Sequence, residues 1–94
     1  MAGVLRVGVI GAGHFGRYHA LKIRDVPNET LSGLFDPDSA RAAEVAREAG
    51  CPVMEDVDAL LAVSDAVVVA APAEFHFELA VRALRAGRHV LVEK

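Results

Sequence analysis

The fold is decided by the stretch "VGVIGAGHFGRYHALKI", Val7 to Ile23. It begins in an apolar run and continues into a segment with helical spacing, and three glycines lie at the junction. Gly11, Gly13 and Gly16 take the first, third and sixth positions of one six-residue window. Because glycine loses more conformational entropy on folding than any other residue, three glycines in so short a junction indicate a specific requirement.

The glycine window matches the pattern G-x-G-x-x-G between a strand and a helix, the context in which this pattern holds the diphosphate of a dinucleotide. Gly11 would permit the tight turn. A side chain at Gly13 would collide with the diphosphate, whose charge is met by free N–H groups and the helix dipole. Gly16 shares a helical face with Ala20 and Ile23, which predicts close packing against a sheet. The alternative is that the glycines only form a tight strand-to-helix turn. The predicted dinucleotide contacts of this loop are Gly11, Ala12, Gly13, His14, Phe15 and Gly16.

Strands and helices alternate along the rest of the sequence. One helix is predicted to begin at Asp38 and end at Gly50, and Val53 and Met54 predict a short, weak strand. This alternation predicts an α/β fold: a Rossmann-type, doubly wound parallel sheet with strand order 3-2-1-4-5, whose ligand crevice lies at the carboxyl ends of the strands. The stronger strands, all predicted to be buried, are Leu5 to Ile10, Leu31 to Phe35, Ala66 to Ala70 and His89 to Val92.

Asp36 is the second element of the predicted site. It ends the second strand, twenty residues after Gly16, where a carboxylate can accept hydrogen bonds from the ribose hydroxyls of the adenosine. This position favours NAD over NADP, because a 2′-phosphate would face Asp36 and Asp38, while the nearest cation, Arg41, is a turn into the helix. The alternative is that Asp36 only starts the turn Asp36-Pro37-Asp38.

The chain has 94 residues and a net charge of −3, and these values exclude several classes of protein. The length allows one domain, over residues 1–94. Without a basic run, neither nucleic acid nor an anionic membrane is an expected partner, and the apolar runs are too short to cross a bilayer. Since the single cysteine, Cys51, cannot form an internal disulfide and no signal peptide is recognised, we expect a cytoplasmic protein. No metal site is predicted, because no Cys or His stands at ligand spacing from Cys51.

The stretch "DAVVVAAPAEFHFELAVRALRAGRHVLVEK", Asp65 to Lys94, resembles the N-terminal domain of the Gfo/Idh/MocA oxidoreductases, the family of glucose-fructose oxidoreductase and inositol dehydrogenase. Its end, "AGRHVLVEK", is similar to the segment that leads into the family's Glu-Lys-Pro motif. The resemblance implies that NAD or NADP oxidises or reduces a hydroxyl-bearing carbon, usually in a sugar, polyol or similar small molecule. It also implies that Lys94 is the catalytic lysine, which reaches the substrate hydroxyl beside the nicotinamide, and that Glu93 lies close to the cofactor.

The sequence departs from the family pattern in the loop after the predicted fourth strand. Where the family often has Thr-Pro-Asn followed shortly by His, this chain has Ala71-Pro72-Ala73 and then His76. The resemblance then implies that Ala71 and Pro72 contact the cofactor through the backbone. His76 would open the last helix near the nicotinamide, where a capping or packing role is as well supported as a functional one.

The chain ends at Lys94, before the motif's proline and before the family's second domain. The resemblance implies that residues 1–94 are the cofactor domain of a longer enzyme and are inactive alone. The strand His89 to Val92 would then leave an apolar edge at which copies of the chain can associate into a homo-oligomer.

Three hypotheses for the function follow. The leading one is the NAD-binding domain of an oxidoreductase, with a dinucleotide and a small-molecule substrate as its partners. A non-catalytic NAD-binding sensor shares the glycine loop and the carboxylate but has no use for Glu93 and Lys94. A methyltransferase that uses S-adenosylmethionine would need no diphosphate site.

Overall fold

A computed structural model of the chain describes residues 4–93. Lys94, the predicted catalytic lysine, therefore lies outside the described residues. Strands and helices alternate, as predicted. The strands are β1 (Leu5–Ile10), β2 (Glu29–Phe35), β3 (Ala66–Val69) and β4 (His89–Val92), and the helices are α1 (His14–Asp25), α2 (Ser39–Ala49), α3 (Val57–Ala62) and α4 (His76–Arg85), the last preceded by a 3-10 turn over Ala73–Phe75.

The four strands form one parallel sheet in the order β2-β1-β3-β4. The weak strand predicted at Val53 and Met54 is reduced to a single parallel bridge between Val53 and Leu34 of β2. Pro52 precedes this bridge and α3 begins soon after it, which leaves no room for a longer ladder. With the bridge counted as the third strand, the sheet has the predicted order 3-2-1-4-5.

Helices cover both faces of the sheet, which confirms the doubly wound fold. One buried cluster contains Ala20 of α1 and Val45 of α2, and the other contains Leu60 of α3 and Ala83 of α4. The helices lie close to the strands: a Cβ atom on Gly8 would be 2.6 Å from Leu60 Cδ1. The carboxyl ends of the strands remain free of these two layers. Within residues 4–93, no helix is long and apolar enough to span a membrane.

β4 differs from the prediction that all four strands are buried. Leu91 is 56% exposed and Val92 is 40% exposed, because β4 is an edge strand that pairs only with β3 in the described part of the chain. The predicted apolar edge is therefore present. Association of copies of the chain through this edge stays a prediction.

Arg6 and Asp65 fasten the amino ends of β1 and β3 together. Arg6 Nη2 lies 2.9 Å from Asp65 Oδ1, and the Arg6 backbone N–H donates to Asp65 Oδ2 at 2.9 Å. The Asp65 N–H donates in turn to the Arg6 carbonyl at 2.7 Å. The hydrogen bonds and positive charge of Arg6 lower the pKa of Asp65 to about 2. The native state therefore holds this carboxylate ionised at a pH where the unfolded chain binds a proton.

We expect Asp65→Asn to lower the free energy of unfolding at neutral pH, and this loss should shrink as the solution is acidified. The pKa of Asp65 is depressed in the folded state, so its contribution is complete above the ordinary value of 3.8 and disappears as the pH falls toward about 2. Urea unfolding of the two proteins between pH 7 and pH 2.5 measures the difference. The free energy of unfolding of Arg6→Gln should likewise be lower than that of the wild type at neutral pH and approach it over the same pH interval. A difference that is constant with pH would contradict the assignment.

Candidate functional site

A cleft with a volume of about 690 Å³ opens at the carboxyl ends of the strands. Its size is that of a pocket for a ligand of cofactor dimensions. Residues that follow each of β1, β2, β3 and β4 contribute to its wall. Eight residues predicted from the sequence line it, and they are Gly11, Gly13, Phe15, Asp36, Ala71, Pro72, His76 and Glu93.

Three predicted contacts of the glycine loop do not line the cleft. Ala12 and Gly16 are buried, and His14 is exposed with its ring 5.3 Å from that of Phe15. Their contacts with a cofactor stay predictions. Within residues 4–93, no group of His, Cys, Asp or Glu has the arrangement of a metal site.

Two of the three glycines are required by the packing of the protein itself. Gly11 has a φ of +108°, and a Cβ atom there would lie 2.8 Å from the backbone of Ala70. A Cβ atom on Gly16 would lie 1.9 Å from the Gly11 carbonyl oxygen. Gly16 is buried on the same face of α1 as Ala20 and Ile23, which confirms the predicted face. Gly11 and Gly16 thus form the tight strand-to-helix turn.

Gly13 has no such internal requirement. Its φ of −75° is accessible to any residue. The nearest atom to a Cβ on Gly13 would be Arg41 Nη1 at 3.6 Å, an ordinary van der Waals distance. Gly13 faces the cleft, and the packing of the protein does not require glycine at this position. The turn alone does not account for it.

The N-terminus of α1 is open to the cleft. α2 and α3 are capped by Asp38 and Asp56, whose side chains accept the N–H groups of Arg41 and Ala59. In the described part of the chain, α1 has no capping side chain at Gly13 and no acidic residue in its first turn. The positive end of its dipole and its first N–H groups are therefore available to an anion. The open N-terminus of α1 therefore fits the diphosphate of a dinucleotide.

Asp36 joins the glycine loop to the turn after β2. Its Oδ2 accepts the Ala12 N–H at 2.7 Å, and its Oδ1 accepts the Asp38 N–H at 2.8 Å. The second contact is the Asp36-Pro37-Asp38 turn that the sequence left as an alternative, whereas nothing in the sequence indicated the first. Since each carboxylate oxygen can accept a further donor, Asp36 retains the capacity to bind a ribose hydroxyl. The Ala12 N–H already donates to Asp36 and is therefore not free to bind a diphosphate.

Arg41, which the sequence placed one turn into α2, lines the cleft. Arg41 Nη2 lies 3.5 Å from Asp38 Oδ2, so its charge is partly balanced by a carboxylate of its own helix. Asp36 also lines the cleft, where its carboxylate would repel a 2′-phosphate. This arrangement is consistent with the predicted preference for NAD.

His76 holds the loop that follows β3. Its Nε2 lies 2.6 Å from the carbonyl oxygen of Ala71, and both residues line the cleft. The structure thus shows the packing role that the sequence left open. It leaves a contact of His76 with a cofactor as a prediction. Apolar side chains that were not predicted from the sequence also line the cleft, and they include Phe35, Val57 and Leu79.

Glu93 enters the cleft from the end of β4 and contacts a residue far away in the sequence. Its Oε2 lies 2.5 Å from Nε2 of His19, in the middle of α1. The side chains of His19 and Glu93 are 17% and 30% exposed. The sequence alone did not indicate this pairing of His19, because it depends on how α1 lies against the sheet.

Comparison with known proteins identifies the family. Residues 5–94 match the Gfo/Idh/MocA family model, described as an oxidoreductase family with an NAD-binding Rossmann fold. The chain belongs to the Gfo/Idh/MocA family. The fold and the resemblance predicted from the sequence are confirmed.

Three relatives illustrate the similarity. UDP-N-acetylglucosamine 3-dehydrogenase of Acidithiobacillus ferrooxidans is 49% identical over 96% of this chain, and its structure superposes with a TM-score of 0.91. Inositol 2-dehydrogenase of Leifsonia xyli is 43% identical over 96% of the chain. The structure of scyllo-inositol dehydrogenase from Lactobacillus casei, with bound NAD(H) and scyllo-inositol, is 32% identical over 96% of the chain with a TM-score of 0.87.

The chain spans only 27–28% of the length of these relatives. All three relatives carry names of dehydrogenases, which favours the oxidoreductase hypothesis over the sensor and the methyltransferase.

We expect Gly13→Ala and Gly16→Ala to separate ligand binding from folding. Gly13→Ala should change the free energy of unfolding by about 1 kcal/mol or less. It should weaken NAD binding at least tenfold, roughly 1.4 kcal/mol, because the methyl group enters the space of the diphosphate. Gly16→Ala should destabilise the fold by about 1–3 kcal/mol, because its methyl group would overlap the Gly11 carbonyl. Urea unfolding and calorimetric titration with NAD measure the two effects. Unchanged NAD affinity in a folded Gly13→Ala variant would contradict the assignment of the loop.

Proposed function

We propose that this chain is the NAD-binding domain of an oxidoreductase that transfers a hydride between nicotinamide and a hydroxyl-bearing carbon of a sugar, polyol or similar small molecule. The observation that carries the proposal is Gly13, which lies in the cleft at an uncapped helix N-terminus without an internal reason to be glycine. The names of the relatives support the substrate class, and the Lactobacillus casei structure supports the cofactor. Residues 1–94 are, in this proposal, the first domain of the complete enzyme.

The order of the strands gives the direction of the cofactor along the cleft. Asp36 follows β2 at one side of the sheet, where it would accept the ribose hydroxyls of the adenosine. The diphosphate would lie at the loop from Gly11 to Gly16, after the neighbouring β1. The nicotinamide would then lie toward the ends of β3 and β4, near Ala71 and Glu93.

Bound NAD would supply the hydride acceptor, and the chain's own residues would supply orientation and proton transfer. By its position in the motif, Lys94 would hold the substrate hydroxyl oxygen and take its proton as the hydride leaves the carbon. The preceding residue is well anchored, since the Glu93 N–H donates to the Val69 carbonyl at 2.9 Å and continues the parallel ladder. The apolar wall of Phe35, Val57 and Leu79 would exclude water from the adenosine half of the cofactor.

We expect Asp36→Ala to reduce the preference for NAD over NADP. Loss of a charged hydrogen-bond acceptor for the ribose should weaken NAD binding by roughly ten- to a hundredfold. NADP should lose less, because its 2′-phosphate no longer meets this carboxylate. Asp36 also supports the loop through Ala12, but both cofactors share the diphosphate, so loosening of the loop cancels in the ratio of their affinities. Gly13→Ala is the matched control, which should weaken both cofactors equally. An unchanged ratio in Asp36→Ala would remove Asp36 from the ribose site.

In the complete protein, we expect Lys94→Met to lower kcat by about a hundredfold or more, the usual loss for a general acid or base. NAD affinity should stay within about threefold of the wild type, since the cofactor contacts proposed above come from other residues. The measurement is the appearance of reduced nicotinamide with inositols and UDP-sugars as substrates, beside a binding titration with NAD. Full turnover in Lys94→Met would show that another group transfers the proton.

A further inference from the structure

The contact between His19 and Glu93 joins two parts of the chain that are 74 positions apart. His19 lies in the middle of α1, and Glu93 follows the last strand. With a separation of 2.5 Å and partial burial of both side chains, this is a well-defined contact that solvent screens less than an open surface pair. A carboxylate acceptor requires that the His19 Nε2 carry the proton.

The proposed position of Glu93 is at the nicotinamide side of the cleft. Asp36 and Glu93 follow the two outer strands of the sheet, β2 and β4, so they lie at opposite ends of the row of strand termini. The glycine loop after β1 lies between them. If Asp36 faces the adenosine ribose, Glu93 faces the other half of the dinucleotide.

The carboxylate of Glu93 needs an external support to keep one direction. Its backbone is fixed by the Val69 carbonyl, but the side chain has rotatable bonds and stands at the end of an exposed edge strand. Within the described residues, the Glu93 carboxylate accepts a hydrogen bond from His19. α1, which provides that support, is also the helix whose N-terminus faces the diphosphate.

We propose that His19 is a positioning residue, which fixes the Glu93 carboxylate beside the nicotinamide half of the bound cofactor. This inference rests on the proposed function. The carboxylate so placed complements the positive charge of the oxidised nicotinamide ring, whereas the adenosine half of the cofactor does not depend on it. His76 also lines this side of the cleft, but its Nε2 is directed to the Ala71 carbonyl.

The test compares NAD with ADP-ribose, which retains the diphosphate and both riboses but lacks the nicotinamide. In the complete protein, His19→Asn removes the donor from the position of Nε2, while His19→Gln places an amide N–H close to that position. We expect His19→Asn to weaken NAD binding about fivefold or more, because the lost hydrogen bond acts on the cofactor only through the Glu93 carboxylate. ADP-ribose should be affected by less than about twofold, and His19→Gln should restore most of the NAD affinity.

A double-mutant cycle tests whether His19 acts through Glu93. If it does, His19→Asn should cost little further NAD affinity in a Glu93→Gln background. Parallel losses of NAD and ADP-ribose, or additive losses in the cycle, would overturn the proposal, because both indicate a general structural role.

A spectroscopic measurement on the unmodified protein does not depend on the folding of any variant. With ¹⁵N-labelled histidine, NAD should shift the His19 Nε2 resonance, and ADP-ribose should leave it nearly unchanged. An identical response to both ligands would overturn the proposal. If the wild type binds neither ligand, the proposed function itself is wrong, whereas NAD binding that is insensitive to His19 contradicts only this inference.

Discussion

The structure depends on the close approach of Gly16 to the carbonyl of Gly11, where β1 turns directly into α1. Any side chain at Gly16 would overlap that carbonyl, and any side chain at Gly11 would overlap the backbone of Ala70 after β3. Three segments of backbone therefore meet at one point. Because they approach so closely, the first turn of α1 opens into the space above β1 and β3, and a cleft forms where the strands end.

Local patterns in the sequence predicted the parts of the fold that local interactions determine. The glycine spacing placed β1, the loop and α1, and the cap at Asp38 and the stop at Gly50 placed α2, because each signal acts within a few residues. Hydrophobic runs predicted the strands but did not reveal the exposure of β4, since burial depends on whether a further strand pairs with it. The predicted third strand is a single bridge, because Pro52 and the start of α3 leave too few residues for a longer ladder.

Contacts between residues that are distant in the chain could not be predicted from the sequence. Asp36 was predicted as a ribose ligand from its position, yet its bond to Ala12 requires the exact register of β1 and β2, which the sequence does not provide. The position of Arg41 in the cleft and the pairing of His19 with Glu93 depend likewise on how helices lie against the sheet. A cleft therefore lies at the strand ends, where the sequence predicted the site, while the contacts that hold its side chains in place appeared only in the structure.

These contacts explain how a chain with a net charge of −3 can present a site for an anionic cofactor. The attraction for the diphosphate is local and comes from the amides and dipole of α1, which no acidic side chain in its first turn opposes. The acidic groups at the two ends of the cleft, Asp36 and Glu93, are held by N–H donors of the protein. In the proposed function, these fixed carboxylates would meet a ribose at one end of the cleft and a cationic ring at the other. Groups that are fixed before binding lose less entropy on association, so the same contacts that stabilise the fold also favour the cofactor.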